Sequence, residues 1–160
     1  MIQAMPPVRR EDRGPDALDR EILGLLLADA RVSYRDLGAA VGLSANAAAD
    51  RVRRLVRTGA VRGFTAVLDP VTAGRPVEAL VDVRLDRTTD SDAFGAAVAR
   101  LDAVTGAQHV TGRFDWHLRL ACRDTAELDR VLRALRADLG ALDTETRIVL
   151  RTAVDRRAVP

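Results

Sequence analysis

The sequence predicts an α+β protein: an N-terminal winged-type helix-turn-helix domain followed by a C-terminal ferredoxin-like βαββαβ domain. Three observations lead there. Between residues 16 and 58, apolar residues recur at helical spacing in three short segments, broken by Gly42 and stopped by Gly59. From residue 78 onward, strand-like and helix-like stretches follow in the order strand, helix, strand, strand, helix, strand. The chain of 160 residues is long enough for two small domains of this kind.

Taken in order, residues 1–15 combine prolines with mixed charge and no periodicity, which predicts a disordered leader. Asp16 is the N-cap of a first helix in which Leu18, Ile22, Leu25 and Leu26 share a face, ending near Asp29. Ser33, with Asp36 three residues on, caps a second helix over 34–41. Ser44 caps a third over 45–58, whose inward stripe is Ala48, Val52 and Leu55. Three residues separate the second and third helices, and Gly42 supplies the positive φ that such a turn needs. Gly38 is small where the two helices must approach. These features delimit a helix-turn-helix unit over 16–63.

Residues 61–68 alternate enough for a connecting strand, and Gly74 and Pro76 mark a linker, so 64–76 joins the domains. The second domain covers 77–155. Its expected strands are 78–85, 104–111, 115–122 and 144–154, with helices over 90–101 and 125–139, the latter capped by Asp124 or Thr125. Residues 156–160 read as a frayed end.

Only five residues are aromatic, so both cores must rest on Leu, Val and Ala. Two cores of this size bury little apolar area each, which favours oligomerisation. Cys122 is the single cysteine, which excludes an intrachain disulfide and a Cys-rich metal framework. No apolar run reaches the length of a membrane span and no signal-peptide pattern opens the chain, so a cytoplasmic protein without membrane partners is expected. All 25 basic side chains are arginine, in keeping with GC-rich coding, and the net charge is only +2. Residues 50–62 nevertheless hold five arginines and one aspartate. Such an excess suits a phosphate-facing surface, although a solvated helix face has the same composition.

Several motifs resemble one known family, the Lrp/AsnC transcription factors of bacteria and archaea. They are Leu18-Asp19-Arg20-Glu21-Ile22-Leu23, Arg31-Val32-Ser33, Val41-Gly42-Leu43-Ser44, Arg51-Val52-Arg53-Arg54-Leu55 and the run from Gly59 to Pro70. Val110-Thr111-Gly112-Arg113-Phe114-Asp115-Trp116 resembles the family's effector loop. The resemblance spans residues 16 to 155. It implies a homodimer formed through the sheets, assembling further into tetramers or octamers. It also implies a small-molecule effector, an amino acid or related carboxylate, bound near the loop between the second and third C-terminal strands. The loop usually reads Gly-Asp-x-Asp in the family, and here Arg113 stands at the first acidic position. The third helix opens on an Ala-rich run where Pro or Thr is more common.

A recognition helix in the major groove of double-stranded DNA reads base edges with its N-terminal side chains. The candidates are Ser44, Asn46 and Ala47 at that end, with Arg51, Arg54 and Arg57 for phosphate or guanine. Asp50 is expected to pair with Arg54 one turn on. For the effector, Gly112 permits close backbone approach, Asp115 suits an ammonium and Arg113 a carboxylate or phosphate. Gly112-Arg113 fits a plain hairpin turn equally well. His109, Thr144 and Thr146 complete the effector candidates, although ordinary sheet positions explain them more simply. His109, His117 and Cys122 match no zinc spacing, and no nucleophile, paired-carboxylate or phosphate-loop motif points to an enzyme or a cofactor. The main reading is a sequence-specific DNA-binding transcriptional regulator responding to an amino acid or related metabolite. Two alternatives share the architecture: an enzyme like the siroheme decarboxylases, and a metabolite sensor without DNA binding.

Overall fold

A computed structural model describes residues 14–154. The leader expected over 1–15, apart from Gly14 and Pro15, lies outside the described residues, as does the frayed end over 156–160. The chain forms two compact units that divide between Ala66 and Val67.

The first unit holds three helices: α1 (Ala17–Ala28), α2 (Tyr34–Ala40) and α3 (Ala45–Arg57). Each begins at a side-chain cap. Asp16 and Asp19 form a reciprocal capping box on α1, each carboxylate accepting from the other's backbone N–H. Ser33 accepts from the Asp36 N–H at 3.1 Å, but Asp36 bonds the Ser33 hydroxyl and not its N–H, so the expected second box is only half built. Ile22, Leu37, Ala48, Val52 and Leu55 form the buried core. The α2–α3 turn closes through the Leu43 N–H on the Gly38 carbonyl at 2.8 Å, with Gly42 at φ 70°.

The connecting strand expected over residues 61–68 finds no partner among the described residues. Residues 61–68 carry no strand pairing among the described residues, and only the Val61 N–H is bonded, to the Leu55 carbonyl. Alternation permits a strand, but a strand exists only with a partner to take its backbone groups. Phe64, Val67 and Leu68 are accordingly exposed.

The second unit is a four-stranded antiparallel sheet with two helices on one face. Its elements are β1 (Val77–Leu85), α4 (Ser91–Val98), β2 (Val104–His109), β3 (Trp116–Cys122), α5 (Thr125–Ala137) and β4 (Ala141–Ile148). The strand order β2-β3-β1-β4 is that of the expected ferredoxin-like fold. Ala79, Val81 and Val83 of β1 and Leu118, Leu120 and Cys122 of β3 point to one face, where Phe94, Val98, Leu128, Val131 and Leu135 close the core. The opposite face carries Asp82, His117 and Glu145 side by side, with Arg119 and Arg147 flanking Leu80 in the next row. Asp82 accepts from Arg147 there and sits 2.7 Å from His117 Nδ1.

Several boundaries differ from those the pattern predicts, most of all in α4 and β4. α4 stops at Val98 because residues 99–101 tighten into three-residue turns, Arg100 bonding Ala97 and Leu101 bonding Val98. β4 begins at Ala141 and ends at Ile148, earlier than expected. Gly140, at φ 75°, turns the chain directly from α5 into pairing with Leu85, across a register shift after Arg84.

Candidate nucleic-acid interface and effector loop

α3 has three distinct faces. Ala48, Ala49, Val52 and Leu55 are buried. Asn46, Asp50, Arg53 and Arg57, at helical spacing, are all exposed and form one outward stripe. Ala47, Arg51 and Arg54 occupy the flank between them and are half-buried. Ser44 accepts from the Ala47 N–H at 3.2 Å, so its hydroxyl oxygen already serves the helix start.

The flank is tied to α1. Asp19, whose side chain is completely buried, accepts from Arg51 Nη1 at 2.9 Å and from Arg54 Nη2. Arg51 Nη1 also reaches Asp16 at 2.8 Å. Asp50 pairs with Arg53, not with Arg54 as expected, because Arg54 is already held by the buried carboxylate. Arg51, Arg53 and Arg54, which help make residues 50–62 basic, are therefore paired with carboxylates within the domain. Charge counted along the chain overstates the charge presented outward. Two residues escaped the sequence reading: Arg53, on the outward stripe, and Asp19. The signal for Asp19 was present, a carboxylate one turn before Ile22 on the apolar face of α1.

The Arg51 hydrogen bond holds the Asp16 carboxyl at about 2, below its ordinary 3.8. A depressed carboxyl stabilises the fold fully above pH 3.8 and ceases to do so as pH falls through about 2. A carbon-detected NMR titration of Asp16 is expected to show its midpoint near 2 in the wild type, moving toward 3.8 in Arg51→Gln.

In the second unit, residues 110–115 link β2 to β3, with Gly112 at φ 119°. The connection is longer than the tight Gly112-Arg113 turn the sequence suggests, because Asp115 fastens it across the end of β1. The Asp115 N–H donates to the Val83 carbonyl at 2.9 Å, and its carboxylate accepts from the Leu85 N–H at 2.8 Å. Arg113 lies 3.9 Å from Asp143 and stacks over Phe114 with its guanidinium carbon 5.0 Å from the ring centroid. Arg84 shares the same Asp143 carboxylate at 3.6 Å.

The remaining effector candidates are separated. His109, Trp116, Val83 and Thr144 stand in one cross-strand row, so His109 and Thr144 occupy opposite edges of the sheet. Three strand spacings lie between them, roughly 14 Å. Within one chain, then, Gly112, Arg113 and Asp115 come together, whereas His109, Thr144 and Thr146 do not converge on one another. Thr144 accepts from Arg136 Nε at 3.0 Å. His109 packs at 5.3 Å on Trp116, which also meets Phe94 and donates to Ser91. Trp116 thus packs between the sheet and α4. Cys122 is buried, which pushes its thiol up, and no cluster of metal-ligating side chains occurs among the described residues.

These two arrangements match known proteins. The family description "AsnC-type helix-turn-helix domain" fits residues 16–56, and "Lrp/AsnC ligand binding domain" fits residues 78–159. The chain belongs to the Lrp/AsnC family. It is 35% identical over 137 residues to the HTH-type transcriptional regulator AldR of Mycobacterium tuberculosis, covering 84% of this chain and 76% of that one. It is 33% identical over 145 residues to the leucine-responsive regulatory protein of Salmonella typhimurium, covering 89% and 88%. Among solved structures, Escherichia coli AsnC superposes with a TM-score of 0.80 at 29% identity, covering 91% of this chain and 98% of that one. A Neisseria meningitidis transcriptional regulator in complex with L-Met superposes with a TM-score of 0.83 at 26% identity, covering 91% and 96%. This Lrp/AsnC protein is therefore a helix-turn-helix transcriptional regulator with an effector-binding domain.

Proposed function

We propose that this Lrp/AsnC regulator reads double-stranded DNA with the outward stripe of α3 and adjusts its binding through an amino acid or related carboxylate held by residues 77–155. The observation that carries the reading is the stripe itself. Asn46, Asp50, Arg53 and Arg57 project from a helix-turn-helix whose buried α3 face forms the core and whose Arg51 and Arg54 are held by Asp19 of α1. Asn46 is the base reader, since its amide pairs bidentately with adenine and makes no hydrogen bond among the described residues. Ala47 offers a methyl to thymine, Ser44 sits at the positive helix end, and Arg53 and Arg57 supply phosphate contacts.

The L-Met found with the Neisseria relative supports an amino acid as effector. In this reading the Gly112-Arg113-Asp115 loop lines the effector site, and Arg113 is the group suited to its carboxylate. The residues that do not converge within one chain, His109, Thr144 and Thr146, suit a site completed by a second chain. Exposed Leu142, Ile148 and Leu150 likewise support a homodimer that assembles into tetramers or octamers. No helix among the described residues is long and apolar enough to cross a membrane. The protein acts in the cytoplasm as a regulator and not as an enzyme.

The test is a titration against a duplex selected from a randomised pool, at several salt concentrations and with or without single amino acids. Affinity is expected to fall linearly in log–log form with salt, and one amino acid to shift it. Asn46→Ala is expected to lose about 1–3 kcal/mol of discrimination at one adenine-containing position. Binding that ignores both salt and sequence would refute the reading.

A further inference from the structure

We infer that Asp19, Arg51 and Arg54 form a buried ionic strap that sets the rotation of the recognition helix, and that Arg51 and Arg54 position α3 without holding phosphate. The inference rests on the DNA-binding reading above and gives a positioning role to two arginines that the sequence alone offered for phosphate.

The geometry separates two kinds of arginine on one helix. Arg53 meets Asp50 where both side chains are largely exposed, 62% and 73%. Such a pair exchanges for a phosphate at little cost, because water replaces either partner. Arg51 and Arg54 meet a carboxylate with no exposure at all. Drawing either guanidinium away to DNA would leave part of a buried charge unpaired, and removing one partner of a buried pair is strongly destabilising. Among the described residues Asp19 has no alternative donors beyond the Asp16 N–H at 3.0 Å.

Placement explains why two arginines are used. They stand three residues apart on α3 and grip one side chain that lies 32 and 35 positions earlier in the chain. A slip of one residue turns a helix by about 100°. Two attachments on the same flank oppose that turn, which keeps Asn46, Asp50, Arg53 and Arg57 facing outward. The apolar core resists the same turn only through non-directional contacts, whereas the ion pairs fix one flank of α3 to one carboxylate.

The two roles give opposite outcomes for Asp19→Asn. If Arg51 and Arg54 bind phosphate, removing the competing carboxylate frees them and strengthens DNA binding. If they are positioning residues, the variant weakens binding to the selected duplex by roughly tenfold or more while binding to a scrambled duplex changes little. The experiment measures full-length wild type, Asp19→Asn, Arg54→Gln and Arg53→Gln against both duplexes over a salt series, with folding checked by circular dichroism. Arg53→Gln is expected to reduce the salt slope by about 0.9, the loss of one phosphate contact, and Arg54→Gln to leave it unchanged. Should Asp19→Asn not fold, the Arg54→Gln slope decides alone. Stronger binding by Asp19→Asn, or a slope lowered by about 0.9 in Arg54→Gln, overturns the strap. Wild type that binds neither duplex overturns the DNA-binding reading and the strap with it.

Discussion

Gly38→Val is expected to unfold the helix-turn-helix while the sheet domain stays folded. A Cβ at this position would lie 2.6 Å from the Leu43 carbonyl oxygen and 3.1 Å from the Ser44 carbonyl atoms. All of these are backbone, and the Leu43 segment is held to Gly38 by its own hydrogen bond at 2.8 Å. The clash therefore cannot be relieved by a rotamer. Overpacking a fitted interior costs about 1–3 kcal/mol, and a branched side chain against fixed backbone belongs at or above the upper end. A three-helix unit with a small core has little stability to lose. The single tryptophan, Trp116, lies in the other unit and reports on it separately. The expected result is loss of a helical melting transition by circular dichroism with the Trp116 fluorescence transition retained. A helical transition unchanged in Gly38→Val would mean that α2 and α3 can part at this point without cost.

Phe94→Ala is expected to have the converse effect. Phe94 is only 2% exposed and lies at the centre of the α4–sheet contact, 5.6 Å from the Trp116 ring. Truncating a buried Phe to Ala costs about 3–5 kcal/mol, the transfer of the ring plus the cavity it leaves. The cavity is not easily refilled, because the surrounding core consists mainly of Val, Leu and Ala, anchored on strands and helices. Gly95 also matters: its missing Cβ is what lets Trp116 approach, since a methyl there would stand 2.7 Å from the indole. Thermal unfolding followed by Trp116 fluorescence is expected to move down by about 10 °C or more, at roughly 4–8 °C per kcal/mol for a domain of this size. A shift of a degree or two would show that α4 repacks around the loss.

Much of the architecture was legible in the sequence because its signals are local. Asp16, Ser33, Ser44 and Asp124 each cap the helix they precede, and a cap needs only the next three residues. Gly42 was readable as a turn and Gly38 as a close approach for the same reason. The inward stripe of α3 and the apolar alternation of β1 follow from periods of 3.6 and 2 residues. By contrast, the strand expected over residues 61–68 depends on a partner that alternation cannot supply, and among the described residues it has none.

The candidate sites show the same division. That α3 is amphipathic, basic and the helix to place against DNA was readable from its composition and spacing. Which of its arginines face outward was not, because the answer lies in Asp19, more than thirty positions away in the chain. The effector loop was likewise readable as a motif, yet its tether through Asp115 to Leu85 and the opposite-edge placement of His109 and Thr144 come only from strand order. The sequence by itself determined the fold class, the caps, the turn chemistry and the family. The tertiary structure alone decided which charges meet each other and which remain to meet a partner. The physical reason is that helix caps and periodicity act over a few residues, whereas burial and ion pairing depend on what the fold brings together.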